Sequence, residues 1–294
     1  MPKAHKASSS KEEVYFADDF TKSREFVQSP FRYPGGKYYA LKHIIPFLEC
    51  YPHDEYREPF LGGGSVFFGK RKVRTNWLND LENNLITTYQ IIKDKNKSNS
   101  LIKKISNEIA SRERHTEVKN MVALDDQEMA FKIYYLNRTS YCGIINKPAW
   151  GYAIGQSSPP ANWHRFIKGA QPKLENVTLT TMDFSEVLSA PLAGKRMLAY
   201  LDPPYYFADQ KRAYTKPFKT EDHIRLAAQM RTAQYAFCLS YDDCEPIRDL
   251  YSWAYIYERS WFYNTSNTKG TRAKGNELII TNYKVEHNNQ FKLV

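Results

Sequence analysis

A chain of 294 residues with 42% hydrophobic and 15% aromatic content can bury the core of one large domain, or of a domain with a substantial insertion, which excludes a disordered protein. Its 42 Lys and Arg against 32 Asp and Glu leave a formal net charge of +10, a balance that suits a polyanionic partner such as nucleic acid. Cys50, Cys142, Cys238 and Cys244 lack C-x-x-C spacing and the histidines are scattered, so neither a disulfide framework nor a zinc site is expected. With no apolar run of membrane-spanning length and no apolar signal core, the expectation is a cytoplasmic protein without metal.

Residues 1–25 are polar and mixed in charge, and are expected to form a flexible arm. Phe31-Arg32-Tyr33-Pro34-Gly35-Gly36-Lys37 then places a tight Pro-Gly-Gly loop before a helix in which Leu41, Ile44, Ile45 and Leu48 keep helical spacing. Amides at the mouth of that helix, with Lys37, can hold a carboxylate, although an ordinary glycine loop explains these residues equally well. Next, Arg57-Glu58-Pro59-Phe60-Leu61-Gly62-Gly63-Gly64-Ser65 reads as a strand entering a glycine-rich turn, where a nucleotide-like ligand can approach the backbone closely. Gly64 to Lys70 also has G-x-x-x-x-G-K spacing, but Arg71 stands where a phosphate-binding loop needs the Ser or Thr that holds magnesium. Residues 75–80 form a second β-rich run ending in Asp80, placed to bond ribose hydroxyls or to remain a solvated acid.

From residue 93 to 175 the composition changes. After the polar break at 93–97, residues 103–122 and 129–136 have helical spacing, and residues 137–152 interleave aromatic, amide and basic side chains between turn residues. That pattern fits a protruding hairpin or loop able to enter a groove. Residues 176–183 are another β-rich run ending in an acid, and Asp183 can cap the helix opened by Phe184-Ser185-Glu186. Past residue 205, a basic loop at 207–219 carries Lys211 and Arg212, and Thr220 is placed to cap a helix at 221–231. Strands are expected at 235–240, 255–262 and 277–283, with a glycine loop carrying Arg272 between the last two.

One stretch organises the rest: a buried strand at 197–201 stopped by Asp202-Pro203-Pro204-Tyr205. A carboxylate, a fixed carbonyl and a ring at a strand end suit a planar amino group, whose two N–H bonds can go to Asp202 and the Pro203 carbonyl while Tyr205 stacks on its ring. Together, Pro-Gly-Gly-Lys, Phe-x-Gly-x-Gly, the acid-ended strand, the inserted region and Asp-Pro-Pro-Tyr, in that order, resemble the Dam-type (D12 class) adenine-N6 DNA methyltransferases.

The resemblance implies an α/β fold. A Rossmann-like sheet would bind S-adenosylmethionine and release S-adenosylhomocysteine, with no metal, and an inserted, mainly helical target-recognition domain would carry a hairpin. It divides the chain into the arm at 1–25, catalytic parts at 26–92 and 176–294, and a recognition insertion at 93–175. It implies that Asp202, Pro203, Pro204 and Tyr205 are catalytic. Tyr33, Pro34, Gly35, Gly36, Lys37, Phe60, Gly62, Gly64, Asp80, Asp183 and Asp202 would contact the cofactor. Arg32, Asn137, Arg138, Tyr141, Asn146, Lys147, Lys211, Arg212 and Arg272 would contact double-stranded DNA, with Tyr141 as a wedge. Cys142 stands where the Dam enzymes tend to carry Asn, and Asn146 where they read guanine with Arg, so their GATC site is not implied. The expected enzyme is a monomer, either solitary or paired with a restriction endonuclease that acts independently. The alternatives are a cytosine-N4 or RNA amino-methyltransferase, a catalytically inactive DNA-binding relative, and a P-loop ATPase.

Overall fold

The computed structural model describes residues 26–208, 217–262 and 274–285. Seven strands form one sheet: β1 Glu55–Glu58, β2 Thr75–Asn79, β3 Val177–Thr180, β4 Met197–Leu201, β5 Ala236–Asp242, β6 Tyr255–Phe262 and β7 Lys274–Thr281. Their spatial order is β3-β2-β1-β4-β5-β7-β6. The first five are mutually parallel, and β7 enters antiparallel between β5 and β6. All five residues of β4, Met-Leu-Ala-Tyr-Leu, are buried, as a central parallel strand covered on both faces requires. The result is a Rossmann-like α/β sheet.

Helix α1 (Leu41–Glu49) follows a 3-10 turn over Lys37–Ala40, and the short α2 (Ser65–Gly69) follows the glycine turn. Between β2 and β3 the chain builds a helical layer from α3 (Asn83–Lys93), α4 (Lys95–Ser106), α5 (Arg112–Asn120), α6 (Asp126–Thr139) and α7 (Pro160–Leu174). Helix α3 packs on α6, and α4 on α7. One apolar cluster joins this layer to the sheet: Tyr89, Phe131, Tyr134 and Trp163 share it with Tyr56, Leu78 and Leu198. On the other face, α8 (Phe184–Ser189), α9 (Thr220–Arg231) and α10 (Glu245–Leu250) contribute to a second cluster with Leu201, Phe237 and Leu239. No described helix is long and apolar enough to cross a membrane.

Several local expectations shift. The polar stretch at 93–97 is a helix start, because the Asp94 carboxylate accepts the Asn96 and Lys97 amides at 2.9 Å. The helical run at 103–122 is two helices, with Ser111 capping the second through the Arg114 amide at 3.0 Å. Thr220 is the first residue of α9, and Lys219 precedes it as N-cap. Strand β7 begins at Lys274 because Lys274-Gly275-Asn276 continue the ladder opposite Ser260-Trp261-Phe262. The expected hairpin at 137–152 is a compact loop closed by a single antiparallel bridge between Ser140 and Trp150.

Candidate active site

The strand order places a switch point between β1 and β4: from β1 the chain builds outward to β2 and β3, then returns to β4 on the opposite side. Ligands of open α/β sheets bind in the crevice at such a point, beyond the carboxyl ends of the strands. Here those ends carry Glu58-Pro59-Phe60-Leu61-Gly62 and Asp202-Pro203-Pro204-Tyr205, which share a cavity of about 410 Å³. That size lies within the range of small-molecule sites.

Asp202 ends β4 with its side chain 21% exposed. Its Oδ1 accepts from Lys37 Nζ at 2.8 Å and from Ser240 Oγ at 2.9 Å. Ser240, on β5, is itself hydrogen-bonded to the Tyr200 hydroxyl at 2.9 Å. The Lys37 side chain is only 3% exposed, and its ammonium also donates to Gly35 O at 3.0 Å and lies 4.8 Å from the centre of the Tyr205 ring. Expected among the cofactor contacts, Lys37 lines the cavity and sits between the acid and the ring of Asp-Pro-Pro-Tyr. The Tyr205 hydroxyl donates to Glu277 on β7, and burial, opposed by Lys37, pushes the Glu277 carboxyl up to about 7.

The glycine turn closes the other half. Gly62 and Gly64 have φ of +47° and +66°, and a Cβ on Gly63 would come 2.8 Å from Tyr33 Cβ, so side chains are excluded where the backbone lines the cavity. Asp80, at the end of β2, accepts the Gly62 amide at 2.7 Å and the Glu82 amide at 2.9 Å, which ties the turn to the strand. Burial outweighs these bonds and pushes its carboxyl up to about 6. Glu58 is buried deeper: burial pushes it up to about 8 against the bond it accepts from the Tyr56 hydroxyl at 2.7 Å. Asp183 caps α8 through the Ser185 amide at 2.9 Å and is gripped by Arg225 at 2.7 and 3.0 Å. Burial opposes its ionisation, but Arg225 and the Ser185 bonds prevail and hold it down at about 2. Phe60, Phe184 and Phe218 form one wall, with ring centres 5.4 to 5.8 Å apart.

These residues fit S-adenosylmethionine. The glycine backbone and Asp80 offer a cradle with an acid at its edge, the Phe wall offers a face for a purine, and the carboxylates suit a sulfonium cation. Tyr33, Pro34, Gly35 and Gly36 line the same cavity.

The expected DNA contacts divide. Asn146 lines the cavity wall beside Ile145, which brings the loop after α6 to its mouth, and Lys147 is exposed. Tyr141 is partly exposed, its amide bonded to Ala149 O at 2.9 Å. Asn137 and Arg138 are corrected, because α6 runs on to Thr139 and turns both side chains inward. Asn137 accepts the Arg32 amide at 3.0 Å and donates to Arg32 O at 2.6 Å and Gly143 O at 2.8 Å. Arg138 is 5% exposed, with its guanidinium 4.0 Å from the centre of the Phe166 ring. Both build the seat of Arg32, which is partly exposed. Lys211, Arg212, Arg272 and the arm at 1–25 lie outside the described residues.

Sequence reading missed Glu58, Ser240, Arg225 and Glu277. Glu58 was within reach, as the acid immediately before Pro59-Phe60. The other three enter through strand pairing and helix packing, for which the sequence carries no local signal.

The chain is 25% identical over 276 residues to the type II methyltransferase M1.LlaDCHI of Lactococcus lactis subsp. cremoris, covering 86% of this chain and 94% of that relative. It is 24% identical over 261 residues to the type II methyltransferase M.CviBI of Paramecium bursaria Chlorella virus NC1A, covering 86% and 98%. The DNA N-6-adenine-methyltransferase of Escherichia phage P1 is 27% identical over 224 residues, 71% of this chain and 28% of that protein. The sequence profile of the D12 class N6 adenine-specific DNA methyltransferases matches residues 33–265, most of the chain and every motif around the cavity, and the chain belongs to that family.

Proposed function

We propose that the protein is an active site-specific DNA-methyltransferase (adenine-specific), EC 2.1.1.72, which methylates N6 of an adenine flipped out of duplex DNA. The observation that carries this reading is the Asp202 cluster at the switch point, with Lys37, Ser240 and Tyr205 gathered around one carboxylate. S-adenosylmethionine, bound along the glycine turn and the Phe wall, supplies an electrophilic methyl group.

The task left to the protein is to make a poor nucleophile react. The adenine amino lone pair is delocalised into the ring. Among the described residues the two bonds to Asp202 fall on Oδ1, leaving Oδ2 for one N–H of the amino group. The Pro203 carbonyl accepts the other. Held by two acceptors, the nitrogen moves toward tetrahedral geometry and its lone pair localises. In-line attack then needs reacting atoms roughly 3–3.5 Å apart. As the C–N bond forms, the S–C bond to the methyl group would break, S-adenosylhomocysteine leaving as a neutral thioether; the positive charge passes to nitrogen, where Asp202 stabilises it and a proton lost to Asp202 or solvent discharges it. The Tyr205 ring stacks on the flipped base, since a base inside the duplex cannot reach this depth.

Residues 93–175, which hold the loop at the cavity mouth, serve as the target-recognition region. Arg32, Tyr141, Asn146 and Lys147 face the DNA, and Asn137 and Arg138 position Arg32. A free-standing monomer and a partner to a restriction endonuclease both fit this scheme.

The test is transfer of labelled methyl from S-adenosylmethionine to unmethylated genomic DNA, followed by nucleoside analysis. N6-methyladenine in one short sequence context is expected. N4-methylcytosine would overturn the base assignment, and intact DNA binding without incorporation would make the protein an inactive relative.

A further inference from the structure

The motif Asp-Pro-Pro-Tyr ends at a phenol, and that phenol is anchored by a residue outside every motif. The Tyr205 hydroxyl donates to Glu277 Oε2, across 72 residues of chain. Glu277 sits on β7, opposite Asp242 of β5 on one side and Arg259 of β6 on the other. It is 1% exposed, and its second oxygen, Oε1, has no hydrogen-bond partner among the described residues. A buried carboxyl with one oxygen committed to a phenol and the other unsatisfied costs stability, since each unsatisfied buried polar group is destabilising. A sheet interior has no structural need for it: its neighbours along the strand, Leu278, Ile279 and Ile280, are all apolar and fully buried.

We propose that Glu277 is a positioning residue for methyl transfer, fixing the plane of the Tyr205 ring through its hydroxyl so that the flipped base stacks in one orientation against Asp202. This rests on the function proposed above. An aromatic ring on a strand-end loop turns about two side-chain bonds: the hydrogen bond at its far end fixes the swing about the first, and because a phenol O–H prefers the plane of its ring, the direction of that bond biases the second. Lys37 completes the restraint: its ammonium lies 4.8 Å from the ring centre while it holds Asp202 at 2.8 Å. Glu277, Tyr205, Lys37 and Asp202 thus form a chain of contacts, and a tilt of the ring is felt at the acid that accepts the amino group.

The groups facing Glu277 set its charge. From the segment before α1 comes Lys37, which favours ionisation. From the ends of β4 and β5 come Asp202 and Asp242, which oppose it, while the Tyr205 bond favours it. From β6 the register partner is Arg259, whose guanidinium lies over the Phe47 ring, 5.4 Å from its centre. With the carboxyl raised to about 7, Glu277 ionises across the neutral range. An ionised carboxylate accepts from a phenol more strongly than a neutral one does. Ring fixation, and with it the transfer rate, therefore rises as pH increases through about 7.

The experiment measures single-turnover methyl transfer to unmethylated genomic DNA, with S-adenosylhomocysteine affinity measured alongside. The proteins are wild type, Tyr205→Phe, Glu277→Ala, Glu277→Gln and the Tyr205→Phe/Glu277→Ala double variant. Each of Tyr205→Phe and Glu277→Ala is expected to slow transfer about tenfold, with affinity for S-adenosylhomocysteine within about twofold of wild type. The double variant is expected to be no slower than either single one. Glu277→Gln, which still accepts from the phenol but cannot ionise, recovers most of the rate at pH 6 and loses the rise through neutrality. Effects that multiply in the double variant overturn the proposal, because Glu277 would then act independently of the phenol. If Glu277→Ala fails to fold, an unchanged pH profile in Glu277→Gln overturns it. Wild-type protein that methylates no DNA removes the function itself, a result distinct from an active wild type with independent variants.

Discussion

Asp80 and Asp202, which end β2 and β4 on opposite sides of the switch point, are held in different ways. On the side of β1, β2 and the glycine turn, Asp80 is held by backbone amides, those of Gly62 and Glu82. On the side of β4, β5 and β7, Asp202 and Glu277 are held by side chains: Lys37, Ser240 and Tyr205. Backbone partners cannot be exchanged by substitution, and they fix the shape of a turn; side-chain partners carry charge and can be tuned one at a time. The first arrangement suits holding a ligand in a constant pose, and the second suits handling an amino group whose charge changes during reaction.

Substitutions should separate the two sides. The largest effect is expected from Asp202→Ala, which removes the acceptor of the amino group. Methyl transfer should fall by at least about 1,000-fold while S-adenosylhomocysteine affinity changes little, and the thermal unfolding midpoint should also fall because the buried Lys37 loses its ion-pair partner. Retention of near-normal turnover would falsify the assignment of Asp202. Asp80→Ala should do the opposite. It leaves the Gly62 and Glu82 amides without their acceptor, so S-adenosylhomocysteine affinity should fall about tenfold and stability by about 1–3 kcal/mol, read by calorimetric titration and denaturant unfolding. A variant that lost turnover but kept full affinity would erase the distinction between the sides.

The smallest effect is expected from Arg225→Ala, at the outer edge of the β3 side. Its ion pair with Asp183 is 44% and 32% exposed, so it contributes at most about 1 kcal/mol after solvent screening. The sign follows from the lowered carboxyl. With Asp183 at about 2 in the folded chain, the stabilisation is complete above the ordinary Asp value near 4 and fades as pH falls through about 2. Thermal unfolding of Arg225→Ala should therefore differ most from wild type near pH 6, with the gap narrowing toward pH 3. A gap that widened on acidification would show that Arg225 stabilises the fold through something other than Asp183.

The parts of the site that were legible in the sequence are those in which a short stretch contains its own geometry. Asp202-Pro203-Pro204-Tyr205 announces a strand end because proline cannot continue a ladder, and Phe60-Leu61-Gly62-Gly63-Gly64 announces a turn because glycine takes the φ of +47° and +66° found at Gly62 and Gly64 without the strain a side chain brings. Lys37 was visible as a cavity residue, but its contacts with Asp202 and the Tyr205 ring were not. Its position depends on how far a long side chain reaches across the crevice, which spacing does not record. Glu277 could not be read at all: the β-rich run that contains it has the same pattern whichever strand lies beside it. Only the pairing of Asp242 with Glu277 brings that carboxylate to the end of β5. Asn137 and Arg138 misled for a related reason. Polar residues after an amphipathic helix read as surface, and here the helix runs on and buries them against Arg32 and Phe166.

The antiparallel entry of β7 bears on how the protein is made. The strand slots between two that precede it in the chain, so β5 presents an open edge to the cell until residues 274–281 leave the ribosome. Over that interval the glycine turn, Lys37 and Asp-Pro-Pro-Tyr have all been synthesised, while Glu277, which accepts from the phenol, has not. The acceptor for that phenol is therefore supplied by the last strand of the sheet in chain order.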